Sequence, residues 1–289
     1  MSPLRRVTHP VAGTIALDVV GQGPCALLVH GAGGARHSFD AITPHLAPHL
    51  KLVQVDLPGH GDSTCADDFT PSLDAVAAVL AEILDEEGLS PRVLIGHSAG
   101  AAVSALIADL IVDSASPTVL VAIAPAVVPL SPLRGRALRA LAAIGAALPP
   151  VARVIAARAD VAGSIERLVK STGSRLSPEG IARYRAVSRR VEHVRGVLRF
   201  LAASDHTSVW RAWPGLVGRG VAVLCIAGEG DLAIPLDEQR KAADVAGCRL
   251  SILSDCGHLV HEERPADVAA LILAFARAHE LIPSAQACA

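Results

Sequence analysis

The stretch that most constrains this chain is Val93-Leu94-Ile95-Gly96-His97-Ser98-Ala99-Gly100, continued by Ala101, Ala102 and Val103. Three apolar residues read as a buried strand, and the small-residue run after Gly100 reads as a helix. Between them, Gly-His-Ser-Ala-Gly fits the G-x-S-x-G nucleophile elbow in the strand–turn–helix setting that motif requires. The turn is so tight that a Cβ at 96 or 100 would meet neighbouring backbone, and glycine removes it. The Ser98 hydroxyl is thereby lifted above the sheet edge. A helix N-terminus lies beneath it, where free N–H groups favour developing negative charge.

The surrounding chain supplies the sheet. Residues 5–29 read as antiparallel strands, with 15–20 and 25–29 joined by a Gly-Gln-Gly-Pro turn. Residues 39–46 read as helix, 52–55 as a buried strand, 73–84 as an amphipathic helix and 119–124 as a strand after the elbow helix, which runs to about Val112. Strands alternating with helices argue for a mainly parallel sheet covered on both faces. The alternation stops between 126 and 203, where 151–157, 161–170, 178–190 and 193–202 read as helices. It resumes with a strand at 221–227, a helix at 236–246, a strand at 249–253 and a last helix at 265–279. This divides the chain into core residues 1–127, a helical cap 128–205 and core residues 206–289.

Hydrophobic residues make up 51% of the 289 positions and charged residues 19%, enough for a large core. The net charge of −2 gives no general reason to expect nucleic acid. Arg5 and Arg6 lead into Val-Thr-His-Pro and not into the apolar core of a secretory leader, and no run of about 18 apolar residues could span a membrane. The six cysteines (25, 65, 225, 248, 256, 288) show no C-x-x-C pair. A cytoplasmic, reduced protein without disulfides or a zinc site is the expectation.

Serine needs a base to take its proton and donors to hold the oxyanion. Asp231, in Gly-Glu-Gly-Asp-Leu-Ala-Ile-Pro, and His258, in Cys-Gly-His-Leu-Val-His-Glu-Glu, each follow a predicted strand. In the order Ser98, Asp231, His258 they make a candidate triad: nucleophile, orienting acid and general base. The amide of Ala99 is one candidate oxyanion donor, and that of Ala32, in His30-Gly31-Ala32-Gly33-Gly34, is the other. His30, Gly31, Gly33, His97 and Tyr184 are candidate substrate contacts. His97 and His261 would also pack or shape the pocket, and His60 would lie in a loop near its mouth. No metal or cofactor is expected: His258 and His261 stand at i,i+3 without a third ligand placed by any motif. The glycine loop also lacks a dinucleotide fingerprint, with Arg at 36 and no acidic residue in the right context after the next strand.

Residues 131–200 hold fourteen basic side chains against Asp160, Glu166, Glu179 and Glu192, leaving twelve basic and twenty-four acidic for the remainder. Such a cap attracts something anionic: a carboxylated substrate, an acidic partner or an anionic membrane surface, which makes peripheral membrane contact one expectation. A solvated, arginine-rich face gives the same count. The apolar run 140–148, flanked by arginines, suits a lid facing lipid or substrate.

These residues resemble the α/β-hydrolase superfamily. Within it, the chain is similar to the magnesium chelatase accessory proteins of bacteriochlorophyll biosynthesis (the BchO family). The likeness rests on Gly96-His97-Ser98-Ala99-Gly100-Ala101-Ala102 and on Gly257-His258-Leu259-Val260-His261-Glu262-Glu263. In the cap it rests on Ser171-Thr172-Gly173-Ser174, Leu176, Gly180, Tyr184, His193-Val194 and Gly196-Val197-Leu198. At 202–205 the chain departs from the bulkier Met/Trp-type stretch of that family. The resemblance implies an α/β-hydrolase fold, with a mainly parallel eight-stranded sheet, helices on both faces and a helical cap insertion. It also implies a role in a photosynthetic-pigment pathway.

Two functions follow as expectations. One is a cofactor-independent serine hydrolase that forms an acyl-enzyme at Ser98 on a small-molecule apolar ester, perhydrolysis or carbon–carbon bond hydrolysis being other chemistries of the same residues. The other is a non-catalytic accessory or carrier protein that holds a tetrapyrrole-like molecule in the cap cleft or contacts the magnesium chelatase subunits. Only seven aromatic residues are available for ring stacking, of which Tyr184 and Phe200 lie in the cap.

Overall fold

Strands β1 (Arg5–His9), β2 (Gly13–Val20), β3 (Cys25–Val29), β4 (Lys51–Val55), β5 (Val93–His97), β6 (Thr118–Ile123), β7 (Val221–Gly228) and β8 (Arg249–Leu253) form one sheet. Their order is β1-β2-β4-β3-β5-β6-β7-β8. The computed structural model describes residues 4–111 and 118–283; Val112, the expected end of the elbow helix, and Cys288 lie outside the described residues. From β4 to β8 every pairing is parallel, while β1–β2 and β2–β4 are antiparallel.

The central strands are apolar without a break because both of their faces are covered. In β3, Leu27 and Val29 join one core and Ala26 and Leu28 the other; in β5, Leu94 points one way and Val93 and Ile95 the other. Helices α2 (Leu73–Glu86), α3 (Ala99–Ile111) and α11 (Leu236–Ala246) cover the first face. Helices α1 (Thr43–Leu46) and α13 (Pro265–Ala278) cover the second. Between β6 and β7 stand α4 (Pro132–Ala147), α5 (Pro149–Arg158), α6 (Ser164–Ser171), α7 (Pro178–Ser188), α8 (Val191–Ala203), α9 (Thr207–Ala212) and α10 (Gly215–Gly218). A short helix, α12 (Val260–Glu263), follows β8.

Three sequence readings need correction or completion. Residues 15–20 and 25–29 are not paired: β3 lies between β4 and β5 and is parallel to both. A strand whose residues feed both cores must sit inside the sheet, and β2 moves outward to pair with β1 and β4. Residues 39–46 are not one helix but a 3-10 turn, Arg36–Phe39, and the four-residue α1, since Pro44 breaks the run. The apolar run 140–148, not assigned to a helix from sequence, lies through residue 147 in a helix, α4, that begins at Pro132, and Leu148 is its cap.

The reversal of connection direction between β3 and β5 creates the crevice in which open α/β sheets hold ligands, at the carboxyl ends of the strands. The loops after β3, β5, β7 and β8 all reach that end. Charge holds the helices between β6 and β7 against it: Arg190 meets Asp62 at 3.0 Å, Arg195 meets Asp67 at 3.1 Å and Arg183 meets Asp40 at 3.7 Å. Arg199 donates to the carbonyls of Cys65, Ala66 and Asp67. Four of the fourteen basic side chains counted in 131–200 are therefore taken up along this seam.

Candidate active site

Ser98 stands at the turn from β5 into α3 with φ of 53°, a left-handed conformation unusual for a side chain with a Cβ. The structure over-determines it. The Ser98 amide donates to the Ile123 carbonyl at 2.9 Å, and the Ser98 carbonyl accepts from Ala101 at 3.0 Å and Ala126 at 3.2 Å. A Cβ on Gly96 would strike the Gly100 carbonyl and Ala101, and one on Gly100 would strike the carbonyls of Val29 and His30. Both glycines are thus required by close approach. The strain, about 1–3 kcal/mol, keeps the hydroxyl proud of the sheet.

His258 and Asp231, 27 residues apart, meet through Nδ1 and Oδ2 at 2.9 Å. The Asp231 carboxylate is wholly buried. Its Oδ1 accepts from the Ala233 and Ile234 amides at 2.8 and 2.9 Å, and its Oδ2 also accepts from Gln239 Nε2 at 3.0 Å. Four donors replace the water that burial removes. Ser98 and His258 line one cavity of about 180 Å³, together with Gly31, Ala32, Gly33, His97 and Tyr184. Seven of the ten residues singled out from sequence thus line this cavity, and Asp231 reaches it through His258; His30 lies beneath the loop after β3, and Ala99 opens α3 directly after Ser98. As first residue of the helix, its amide has no partner within it.

The loop after β3 is a tight turn. Gly34 donates to the Gly31 carbonyl at 3.0 Å, and Gly33 takes φ of 79° at the exposed tip beside Ala32. Gly31 lets this loop close on the elbow, since a Cβ there would lie 3.0 Å from both His97 Nδ1 and Ser98 Cβ. His30 is corrected from a substrate contact to a prop: it is fully buried, its Nδ1 donates to Gly31 at 2.8 Å and its Nε2 accepts from the Leu57 amide at 3.0 Å. His60 is likewise fully buried, not at a pocket mouth, and packs between the rings of His30, His193 and Phe200. The departure at 202–205 lies away from Ser98, where Asp205 accepts from the Thr207 amide at the start of α9.

The histidines around the site differ in their electrostatics. Burial lowers His30, His37 and His193 to about 4 and His261 to about 3, and drives His97 well below the usual range. These rings stay neutral at ordinary pH. Of the two histidines lining the cavity, His97 is bonded to a backbone carbonyl and His258 to a carboxylate, which suits His258 to hold a proton passed from serine. Its backbone is fixed as well: the His258 carbonyl accepts from His97 Nε2 at 3.0 Å and its amide donates to the Thr172 carbonyl at 3.3 Å.

Sequence reasoning missed several residues that set this geometry. Gln239 is fully buried and also donates to the Ile234 carbonyl at 2.8 Å. The Thr172 carbonyl accepts from Leu232 as well as from His258, and so bridges the loops that bear Asp231 and His258. Ser174 Oγ accepts from Leu259 at 2.8 Å, and Glu263 from Gly257 at 2.9 Å. Thr172, Ser174 and Glu263 stand in the motifs quoted above, but nothing in those motifs assigns them this work. Arg36 ties the glycine loop to the end of β4: it contacts Asp18, Asp56 and Asp62, so the acid that follows β4 is occupied by arginine.

A strand–serine–helix turn, an acid after β7 and a histidine after β8, facing an amide-tipped loop, is the layout of the α/β-hydrolase class. Residues 26–271 match the family described as "Alpha/beta hydrolase family", and the chain belongs to it. It is 31% identical over 269 residues to the "Magnesium-chelatase 30 kDa subunit" of Rhodobacter capsulatus, covering 93% of this chain and 92% of that one. Over 84 residues it is 43% identical to the "Pimeloyl-[acyl-carrier protein] methyl ester esterase" of Xanthomonas oryzae pv. oryzae, covering 29% of this chain and 31% of that one. The thermophilic esterase of Thermogutta terrifontis superposes with a TM-score of 0.73 at 24% identity, covering 96% of this chain and all of that one, a likeness of fold.

Proposed function

We propose that this protein is a serine hydrolase that cleaves a carboxylic ester or related acyl bond through an acyl-enzyme at Ser98. The observation that carries the reading is the buried His258–Asp231 pair, opening on the same cavity as a serine held at φ of 53°. His258 takes the Ser98 proton as the hydroxyl attacks the acyl carbonyl. The Ala32 and Ala99 amides hold the oxyanion, a contribution of about 2.7–4 kcal/mol each. His258 then gives its proton to the leaving alkoxide, and a water activated by the same ring releases the acid. Asp231 keeps the Nδ1–H tautomer throughout.

The cavity beside Ser98 falls below the roughly 300–1,000 Å³ usual for ligands. It shares Gly33, Leu168 and Ser188 with an apolar cavity of about 360 Å³, and together they suit a small-molecule apolar ester. The relative named as a magnesium-chelatase subunit supports a substrate or partner in magnesium-porphyrin and bacteriochlorophyll biosynthesis. It also favours a second reading, in which the protein is a chelatase accessory or tetrapyrrole carrier and the cleft only binds.

Labelling with a fluorophosphonate probe separates the two. The wild type is expected to label, and Ser98→Ala and His258→Ala to abolish it. Absence of labelling in folded wild type, or labelling that survives Ser98→Ala, would overturn the hydrolase reading. Pigment production restored in cells by Ser98→Ala would support the accessory role.

A further inference from the structure

Helix α4 is built inside out for a surface helix. It packs inward through small residues: Gly135, Ala142 and Gly145 are buried, with Gly145 against Leu198 of α8. Leu133, Leu141 and Ile144, 81%, 69% and 56% exposed, point to solvent. Their i, i+8, i+11 spacing puts them in one stripe on a helix of 3.6 residues per turn, with Gly135 and Ala142 on the far side. Arg134 and Arg136 fall on either edge of that stripe. Past a 97° bend, α5 also exposes Val154 and Ile155. Surface helices ordinarily turn their leucines inward, and a contiguous exposed apolar patch marks an interaction site.

The charge of this face identifies its occupant. Residues 130–158 contain five arginines and no Asp or Glu. The cap's later arginines mostly meet carboxylates or carbonyls, whereas among the described residues no carboxylate lies within ion-pair distance of Arg134, Arg136, Arg153 or Arg158. The complement must be apolar and anionic at once. A second copy would set arginine rim against arginine rim across a two-fold contact. An anionic bilayer offers acyl chains to the leucines and headgroups to the arginines. Ile155, Arg158 and Leu168 also line the 360 Å³ cavity that adjoins Ser98, and Ile155 and Leu168 are exposed, so this cavity opens beside the same face.

We propose that the α4–α5 face seats the protein on an anionic lipid bilayer and that the adjoining cavity draws an apolar ester from it toward Ser98. The docking stands by itself; the delivery rests on the serine-hydrolase reading.

The test is flotation of the full chain with phosphatidylcholine vesicles, with and without phosphatidylglycerol. The wild type is expected to float with the anionic vesicles and to be released by salt. Arg134→Ala with Arg136→Ala should weaken partitioning about 5-fold per arginine. Leu141→Glu with Ile144→Glu should abolish it, these side chains being exposed and the fold checked by thermal melting. Ser98→Ala should float like wild type. Wild type that stays in solution with anionic vesicles, or variants that float unchanged, would overturn docking. A dimer in sedimentation that Leu141→Glu converts to monomer would assign the face to a second copy and overturn it equally. For delivery, the Leu141→Glu, Ile144→Glu protein should lose hydrolysis of an ester embedded in vesicles while keeping that of a short water-soluble ester. Equal loss of both would overturn delivery. Hydrolysis that persists in Ser98→Ala would instead fault the catalytic reading and leave docking intact.

Discussion

Asp231→Asn changes one atom and should disable the site in a defined way. Oδ1 accepts two backbone amides, from Ala233 and Ile234, so the asparagine oxygen must take that side; its NH₂ there would face two donors. The NH₂ then occupies the place of Oδ2, against His258 Nδ1 and the Gln239 amide. It can only donate to Nδ1, which puts the ring proton on Nε2, and Nε2–H cannot accept a proton from Ser98. A wrong tautomer of this kind costs about 10⁴ in turnover in the serine-protease triad, or roughly 5 kcal/mol of barrier. Gln239 Nε2 now faces a donor and loses a bond to a charged acceptor, which costs about 1.5–3 kcal/mol of stability. The assay is the rate of fluorophosphonate labelling and of ester turnover, with thermal melting alongside. Labelling within about tenfold of wild type in a folded variant would refute the reasoning: Asp231 would not be setting the tautomer, or His258 would not be the base.

Three further changes probe the support of the site. Gln239→Leu removes donors to both Asp231 and the Ile234 carbonyl, and is expected to lower kcat about tenfold with a smaller change in KM; an unchanged kcat in the folded variant would contradict this. Ser174→Ala orphans the buried Leu259 amide next to His258, which should cost about 1–3 kcal/mol and lower Tm by several degrees; an unchanged Tm would deny that bond its role. Burial lifts Glu262 to about 8 from its ordinary 4.5, with the Tyr184 hydroxyl donating to it at 2.7 Å. Between these pH values the folded protein holds a proton that the unfolded chain has released, so stability falls as pH rises through the window. Glu262→Gln should flatten that slope, raising Tm at pH 8 and leaving it near wild type at pH 4; parallel Tm curves for the two proteins would count against it.

The core of the site was legible because Ser98, Asp231 and His258 each follow an apolar run and sit among turn residues, a pattern that needs no knowledge of pairing. Gln239, Thr172 and Ser174 were not. Gln239 reads as any polar residue of a helix until its position eight residues after Asp231 is folded over the carboxylate. Thr172 acts through its carbonyl, which no side-chain pattern reports. His30 looks like a substrate contact because it opens the glycine loop, yet its two ring nitrogens are already engaged below that loop. The count of cap arginines was correct, but which of them meet Asp40, Asp62 and Asp67 depends on how the helices lie on the sheet.

Local rules therefore determined most of the elements and the candidate site: apolar runs gave strands, Gly96 and Gly100 gave the turn, and strand ends gave the candidate positions. Only the tertiary structure decided the partners. It moved β3 between β4 and β5, because a strand apolar on both faces requires cover on both. It left Leu133 and Leu141 of α4 outward, while Gly145 lets the helix approach Leu198 of α8 closely. Periodicity says that a helix has a narrow face and a bulky one; which of them the protein buries is settled by the surface it meets.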